Sequence, residues 1–349
     1  MKACLKRGVK GAAAICAERS SFAGELAVNC VRVLVMKQNE RMMNEQNHPQ
    51  PDERGAEWTE RMQAIGQAHG FFRALDPAHS ALFIEEGDTL LVTFDNAQRL
   101  KPMGPDGFPV GFEMVEEHEY SMLALYAEGA TWFRSAKVYE FFDGLGDEGF
   151  FEQFERVIFL GIGPAAGHAA CAYSVVAPGA EVLASSPVAT LERADVPFES
   201  RFAKARRMDF KSRYGFAPKL LDAALRAFVL FDSSGGLPAA HAALFRGAHI
   251  HRIGLPRLGP HLERLILTGE GIAPVIEALA GDDADTVKEL REVLSDRARL
   301  DAGYLKTLMV EAIKRNHSKL ALRVAHHGAA VTDDPIFARH ITSEAQKAQ

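Results

Sequence analysis

The chain has 349 residues, of which 47% are hydrophobic and 25% charged, as in an ordinary globular protein with one large domain or two average ones. The formal net charge of −6 argues against a nucleic-acid-binding surface over the whole chain. There is no apolar run of about 18 residues, the length that a membrane-spanning helix needs. Neither a disulfide framework nor a thiolate metal site is expected, because no CxxC pair occurs among Cys4, Cys16, Cys30 and Cys171.

The first part of the chain differs in composition from the rest. A short apolar run, GAAAICA, follows several basic residues but stops at Glu18 without the bulky aliphatic side chains of a secretory signal. Residues 36–54 are strongly polar, a composition that cannot bury a core. We therefore expect residues 1–53 to be disordered or to belong to an over-extended start, with Met42 or Met43 as the natural first residue.

Helix and strand patterns alternate from residue 56 onward. Residues 56–75 carry apolar side chains at helical spacing and predict a helix, and short apolar runs then predict buried strands. The predicted strands are 89–97, 121–129, 156–161, 180–187, 227–234 and 249–255, and the predicted helices between them are 135–145, 164–177, 218–226 and 237–247. Strands that alternate with helices imply parallel crossovers, so the predicted fold class is α/β with a doubly wound, mostly parallel sheet.

After about residue 256 every segment has helical period. One helix is predicted to start at Asp301, because an Asp at a helix start accepts a backbone N–H. The predicted organisation is therefore an N-terminal segment (1–53), an α/β domain (54–280) and a helical C-terminal extension (281–349).

The turn GIGPAAG, residues 161–167, follows the central predicted strand and raises two alternatives. The first is a cradle for a dinucleotide or methyl-donor cofactor, since the turn fits GxGxxA loosely. Such a fold needs an acidic residue at the end of the next strand to bind the ribose. That strand ends in Ser185-Ser186-Pro187, and Glu181 lies at its start. No cofactor is therefore predicted.

The second alternative is the nucleophile elbow, in which small residues let a serine stand exposed between a strand and a helix. The stretch FLGIGPAAGHAACAYSVVAPGAEVLASSP resembles this elbow in α/β-hydrolases, and the match covers about residues 85–275. A hydrolase places its acid and then its histidine after later strands. Asp232 and His261 lie at those two places, so the resemblance implies that they are the residual acid and base.

The departure from the hydrolase pattern is at the decisive position. Aligning Gly161 with the first glycine of the motif puts Gly163 where the serine should stand, and the alternative frame puts Ala165 there. In the first frame Pro164 follows, and proline has no N–H to offer to an oxyanion hole. Our interpretation is a nucleophile elbow whose nucleophile position is vacant.

A closer resemblance is to a family of bacterial proteins often labelled phosphoadenosine phosphosulfate reductase. The most distinctive block is DFKSRYGFAP, and the similarity spans roughly residues 56–330. The label implies sulfate-assimilation chemistry, with an SGGxDS-type loop and a cysteine in a C-terminal ECGLH-like tail. Here DSSGGL, starting at Asp232, is only a fragment of that loop, and no cysteine follows Cys171.

Other side chains could line a pocket or have only structural roles. His168 lies one helical step after the turn, while Ser233 and Ser234 follow a strand and could be alternative nucleophiles. The basic stretch RFAKARRMDFKSR, residues 201–213, could bind an anionic ligand or form a solvated helix face, and its aromatic neighbours suggest a lid over the sheet. No metal spacing is found around His317, His326 and His327.

Three functions remain open from the sequence. The first is a non-hydrolytic α/β-hydrolase-like protein that binds a small molecule or a protein partner. The second is an enzyme of unassigned chemistry that uses Asp232 and His261, and the third is the nucleotide-dependent reductase of the family label. We expect a cytoplasmic protein without nucleic-acid or membrane partners, and the sequence does not determine its oligomeric state.

Overall fold

The computed structural model describes residues 51–268 and 271–347. Nearly all of the segment 1–53, including Cys4, Cys16 and Cys30, therefore lies outside the described residues, and its expected disorder and start site stay predictions. The helix predicted at 56–75 begins at Pro51 and ends at His69.

An eight-stranded sheet forms the centre of the protein, with strand order β1-β2-β4-β3-β5-β6-β7-β8. The strands are β1 (Gly70–Asp76), β2 (His79–Ile84), β3 (Thr89–Asn96), β4 (Ser121–Ala127), β5 (Arg156–Ile162), β6 (Glu181–Ser185), β7 (Arg226–Phe231) and β8 (Ile250–Gly254). Strand β2 is antiparallel to β1 and β4, and all other neighbours are parallel. The expected mostly parallel α/β sheet of the α/β-hydrolase type is confirmed.

The helical prediction for residues 70–75 is wrong, because these residues form strand β1. Phe71 pairs with Phe83 of β2 across the hairpin. A Cβ on Gly66 would lie 2.5 Å from the backbone nitrogen of Phe72, so the preceding helix packs closely against the strand at a glycine. Strand pairing of this kind overrides a local helical pattern.

The helices are α1 (Pro51–His69), α2 (Ala97–Leu100), α3 (Phe112–His118), α4 (Ala136–Asp147), α5 (Pro164–Tyr173), α6 (Ala217–Leu220), α7 (Gly236–Ala242), α8 (His261–Leu267), α9 (Ala273–Glu277), α10 (Asp283–Leu300), α11 (Ala302–Lys314), α12 (Ser318–Val331) and α13 (Pro335–Lys347). Helix α6 is shorter than the predicted 218–226, because residues 221–223 form a 3-10 turn and β7 begins at Arg226.

Each face of the sheet is covered by a separate hydrophobic cluster. Alternate residues of β3 and β5, such as Val92 and Phe159, pack with α4 and α5 on one face. Their neighbours Leu91 and Ile158 pack with α1, α8, α9 and α10 on the other face. We call the second side the α8 face. The inner strands are buried on both sides, as a doubly wound sheet requires, whereas the edge strand β1 is only partly covered.

The C-terminal helices are predicted correctly in outline. The Asp301 side chain accepts the backbone N–H of Tyr304 at 2.6 Å and caps α11, as expected. Helices α11 to α13 share a small core of their own, in which Phe337 is fully buried. Within residues 51–268 and 271–347, no helix has both the length and the apolar composition to cross a bilayer.

A charged cluster ties the amino ends of three central strands together. The buried Glu181 carboxylate accepts from Arg156 Nε at 2.7 Å and from Arg226 Nη2 at 2.9 Å. Both guanidinium groups also donate to the Leu279 carbonyl, so the cluster attaches the α9–α10 segment to the sheet. Glu181 is thus occupied in ion pairs at the edge opposite to the turn after β5.

Candidate functional site at the turn after the central strand

The turn between β5 and α5, at which the sequence predicts a vacant elbow, is a tight strand-to-helix connection. Gly163 joins the two elements with φ 98° and ψ 175°, a backbone conformation that side-chain-bearing residues rarely adopt. A Cβ at Gly161 would lie 2.2 Å from the carbonyl oxygen of Ala166, so only glycine lets the helix fold back so closely. Helix α5 then begins directly at Pro164.

A carboxylate lies against the position at which the elbow side chain would begin. A Cβ built on Gly163 would be 3.0 Å from the Cδ and Oε2 atoms of Glu263, which belongs to α8. Burial raises the pKa of the Glu263 carboxyl, and the positive charge of Arg99 opposes that shift only in part. The sequence interpretation did not identify Glu263.

This arrangement is unfavourable for acyl transfer. That reaction develops negative charge on an oxyanion, which preorganised N–H donors must stabilise. Pro164 offers no N–H at the first helical position, and the ionised Glu263 carboxylate would repel a second negative charge nearby. The site as built favours hydrogen-bond donors over anionic intermediates.

Several buried polar groups lie near the carboxyl ends of the central strands. The Thr93 and Ser185 hydroxyls are buried on the α8 face. The Ser185 hydroxyl has no hydrogen-bond partner among the described residues, whereas the Thr93 hydroxyl lies beside Asp95 and helps to hold down the pKa of that carboxyl. Burial also raises the pKa of Asp95, although this carboxylate accepts from Arg99 and from the Val110 N–H. The region is therefore more polar than the apolar core beneath it.

Asp232 accepts hydrogen bonds from the loops that follow β7 and β8. Its Oδ1 accepts the N–H groups of Ser234 at 2.8 Å and Arg257 at 2.9 Å, and its Oδ2 accepts that of Gly259 at 2.9 Å. These bonds use both carboxylate oxygens to shape the turns, as an Asp after a strand commonly does.

His261 belongs to a different network. Its Nε2 lies 2.9 Å from Thr307 Oγ1 and its Nδ1 is 3.2 Å from Arg264, both toward the C-terminal helices. Burial and the Arg264 charge lower the pKa of His261 despite the nearby Asp301. No hydrogen bond joins His261 to Asp232 within the described residues. Residues two apart on a helix point to opposite sides. Because the Glu263 side chain of α8 faces the β5–α5 turn, the His261 side chain faces away from that turn.

The other residues predicted as site candidates lie in separate environments. Ser233 and Ser234 are exposed, and the Ser234 hydroxyl accepts the Arg257 N–H at 2.6 Å. His168 is fully buried, its Nδ1 is 2.9 Å from the Val188 carbonyl oxygen, and burial lowers its pKa to about 4. Ala165 is partly exposed in the first turn of α5.

Asp76, His79 and Thr131 form a chain of hydrogen bonds away from the β5–α5 turn. His79 Nδ1 lies 2.9 Å from Asp76 Oδ1, and His79 Nε2 lies 2.8 Å from Thr131 Oγ1. The Thr131 hydroxyl also accepts the N–H of Phe133. These hydrogen bonds connect the loop after β4 to the β1–β2 turn. Only the spacing of Asp76 and His79 in a turn could have suggested them from the sequence.

The basic stretch 201–213 is largely engaged in internal contacts. Arg201 forms an ion pair with the buried Glu199. Glu199 Oε2 also lies 2.8 Å from His241 Nε2. Arg213 pairs with Asp143. Phe210 packs against Trp132, so the segment lies over the α5 face of the sheet as a cover. Within the described chain, no group of three or more His, Cys, Asp or Glu side chains could hold a metal ion.

Two surface cavities of about 330 and 340 Å³ lie away from the elbow. The first lies between α3 and the α8–α9 connection and is lined by Glu113, Glu117 and Ile272 among others. The second lies at the amino ends of the strands beside Arg156 and Glu181. Gly163 lines neither of them.

Comparison with known proteins gives structural neighbours only. No family model and no curated protein matches the chain. A Pyrobaculum calidifontis esterase is 9% identical with a TM-score of 0.36, covering 74% of this chain and 96% of its own. The carboxylesterase EstE1 from a metagenomic library is 10% identical with a TM-score of 0.36, covering 70% and 98%. The capsule O-acetyltransferase of Neisseria meningitidis serogroup A is 9% identical with a TM-score of 0.35, covering 52% and 84%. Similarity at this level identifies no activity.

Proposed function

We propose that this α/β-hydrolase-like protein is non-hydrolytic and binds a small molecule or a partner at the former active-site edge of the sheet. The observation that carries the proposal is the Glu263 carboxylate, which lies against the Cβ position of Gly163. A serine at this place would meet a negative charge, and the backbone donor that should follow it is absent because residue 164 is proline.

Two further points support the proposal over an enzyme built on Asp232 and His261. The Asp232 oxygens accept backbone N–H groups, and His261 bonds to Thr307. A general base acts through a hydrogen bond to the group whose proton it removes, and a triad acid acts through a hydrogen bond to that base. The enzyme alternative therefore needs α8 to rotate.

The reductase of the family label has less support from the described residues. Its chemistry requires a reactive thiolate, and burial raises the pKa of the Cys171 thiol well above its ordinary value. A buried neutral thiol of this kind is a structural residue.

The first test is labelling of the purified chain with a fluorophosphonate probe, followed by peptide mapping. We expect no labelled serine or threonine, while circular dichroism reports a folded protein. A clear label on Ser233, Ser234 or Thr131 would mean a working nucleophile outside the elbow and would overturn the proposal.

The second test restores the missing side chain. We expect Gly163→Ser to hydrolyse p-nitrophenyl acetate no faster than the natural chain, because each absent oxyanion donor costs about 100- to 1,000-fold in rate. Gly179→Ser is the matched control for strain, since Gly179 also has a positive φ, of 86°, but open space around it. Substantial esterase activity in Gly163→Ser alone would contradict the argument from Pro164.

A further inference from the structure

The connection between α11 and α12 exposes apolar and basic side chains together. Residues 313–320 are all exposed, and we name them the hairpin tip. Ile313 and Leu320, at its two ends, are 43% and 48% exposed although both are large aliphatic residues. The turn is ordered by the His317 N–H, which donates to the Ala312 carbonyl at 2.8 Å.

The charged side chains of the hairpin tip itself are all basic. Between residues 312 and 332 the sequence contains no Asp or Glu, whereas the whole chain has more acidic than basic residues. The basic residues of this stretch are Lys314, Arg315, Lys319 and Arg323. In the described part of the chain, the ion pairs include only one from this group, between Arg315 and Glu311 at 3.8 Å.

The contrast with the other basic stretch is informative. At 201–213 the arginines pair with Glu199 and Asp143. At the hairpin tip the charges point to solvent beside exposed aliphatic side chains. A basic surface with neighbouring apolar residues is the combination that binds at a lipid headgroup interface.

We propose that the hairpin tip contacts the surface of an anionic lipid bilayer, with Ile313 and Leu320 entering the headgroup region. A bilayer fits better than a protein because the exposed aliphatic residues Val310, Ile313 and Leu320 are few and flank a short turn that carries only basic charges. Protein interfaces usually need a broader complementary area. No membrane partner was expected from the net charge of the chain, but the net charge averages over this local concentration of basic residues.

The test is sedimentation of the full chain with two kinds of vesicle. One contains only phosphatidylcholine, and in the other roughly one lipid in three is phosphatidylserine. We expect binding to the anionic vesicles that weakens as salt is added. A basic residue near such a surface contributes about fivefold in partitioning, so Lys314→Glu/Lys319→Glu should lower it at least about 25-fold. Ile313→Ser/Leu320→Ser should lower it about tenfold or more.

Matched control variants carry the same kinds of substitution at exposed residues outside the hairpin tip. Lys204→Glu/Arg207→Glu alters two exposed basic residues of the other stretch, and Leu225→Ser alters an aliphatic residue that is 62% exposed. We expect both to bind like the natural chain. Equal binding to the two vesicle types would overturn the proposal, as would tip variants that bind normally or control variants that lose binding equally. Every variant retains the basic N-terminal residues, so a selective loss belongs to the tip.

Discussion

At the scale of single residues, the most informative position is Glu263. A carboxylate that is largely removed from water and lacks a close cation is destabilised in its ionised form. The raised pKa of Glu263 is the sign of that cost, and Arg99 reduces it only in part. The cost is consistent with a site in which ligand binding, rather than stability, determines the residue.

This cost predicts a pH-dependent effect of Glu263→Gln. The folded-state pKa lies above the ordinary value of 4.5, so the folded state holds the proton more tightly and loses stability as pH rises through the window above 4.5. Glutamine does not titrate. The stability of the variant relative to the natural chain should therefore increase as the pH rises from about 4 to about 7.

Urea titrations at about pH 4 and pH 7 measure this difference, and a further titration at about pH 3 is added for the control. Asp301→Asn is the matched control of opposite sign, because hydrogen bonds from Arg264 and the Tyr304 N–H outweigh burial and lower the pKa of Asp301. It should be more damaging at pH 7 than at pH 3. A Glu263→Gln difference that does not change with pH would show that the carboxylate is well solvated.

At the scale of elements, the two ends of the parallel strands have different tasks. The amino ends are joined by the Glu181 ion pairs, whereas the carboxyl ends carry the glycine turn and the buried hydroxyls of Thr93 and Ser185. Ligands of open α/β sheets bind at the carboxyl ends. One edge of the sheet is therefore built for stability, which leaves the other available for binding.

Glu181→Ala should accordingly destabilise the fold without altering the elbow. The substitution leaves Arg156 and Arg226 without their carboxylate, and removal of one partner of a buried ion pair costs about 3 to 5 kcal/mol. The exposed pair Lys137–Glu140 offers a control, because Glu140→Ala should cost no more than about 0.5 kcal/mol. Chemical denaturation compares the two, and equal small losses would mean that the Glu181 cluster is solvated.

At the scale of the whole molecule, the alternation of strands and helices could be predicted from the sequence. Features that depend on contacts between distant segments could not. Strands β3 to β8 and the Asp301 cap follow from local apolar patterns and capping chemistry. Strand β1 was taken as helix because its pairing with β2 has no local signal. The position of Glu263 was missed for a similar reason. Which side of α8 faces the turn depends on how the helix packs on the sheet, and the short segment HLERL is compatible with either orientation.

The separate core of α11 to α13 predicts local rather than global unfolding. Phe337→Ala removes a fully buried ring, which costs about 3 to 5 kcal/mol in a protein core. Hydrogen exchange should show faster amides in α11 to α13 while β5 and β6 stay protected. Phe198→Ala, at a side chain that is 40% exposed, is the control. Equal acceleration in the central strands would mean that the helices and the sheet unfold as one unit.

The glycine–proline pair at residues 163 and 164 also has an evolutionary consequence. Hydrolysis at this turn would require a serine at 163, a residue with an N–H at 164 and the withdrawal of the Glu263 carboxylate. Each change alone leaves the other two obstacles in place, and a serine at 163 would also strain a backbone suited to glycine. If the proposed binding function is right, we therefore expect new functions of this turn to arise as changes in binding.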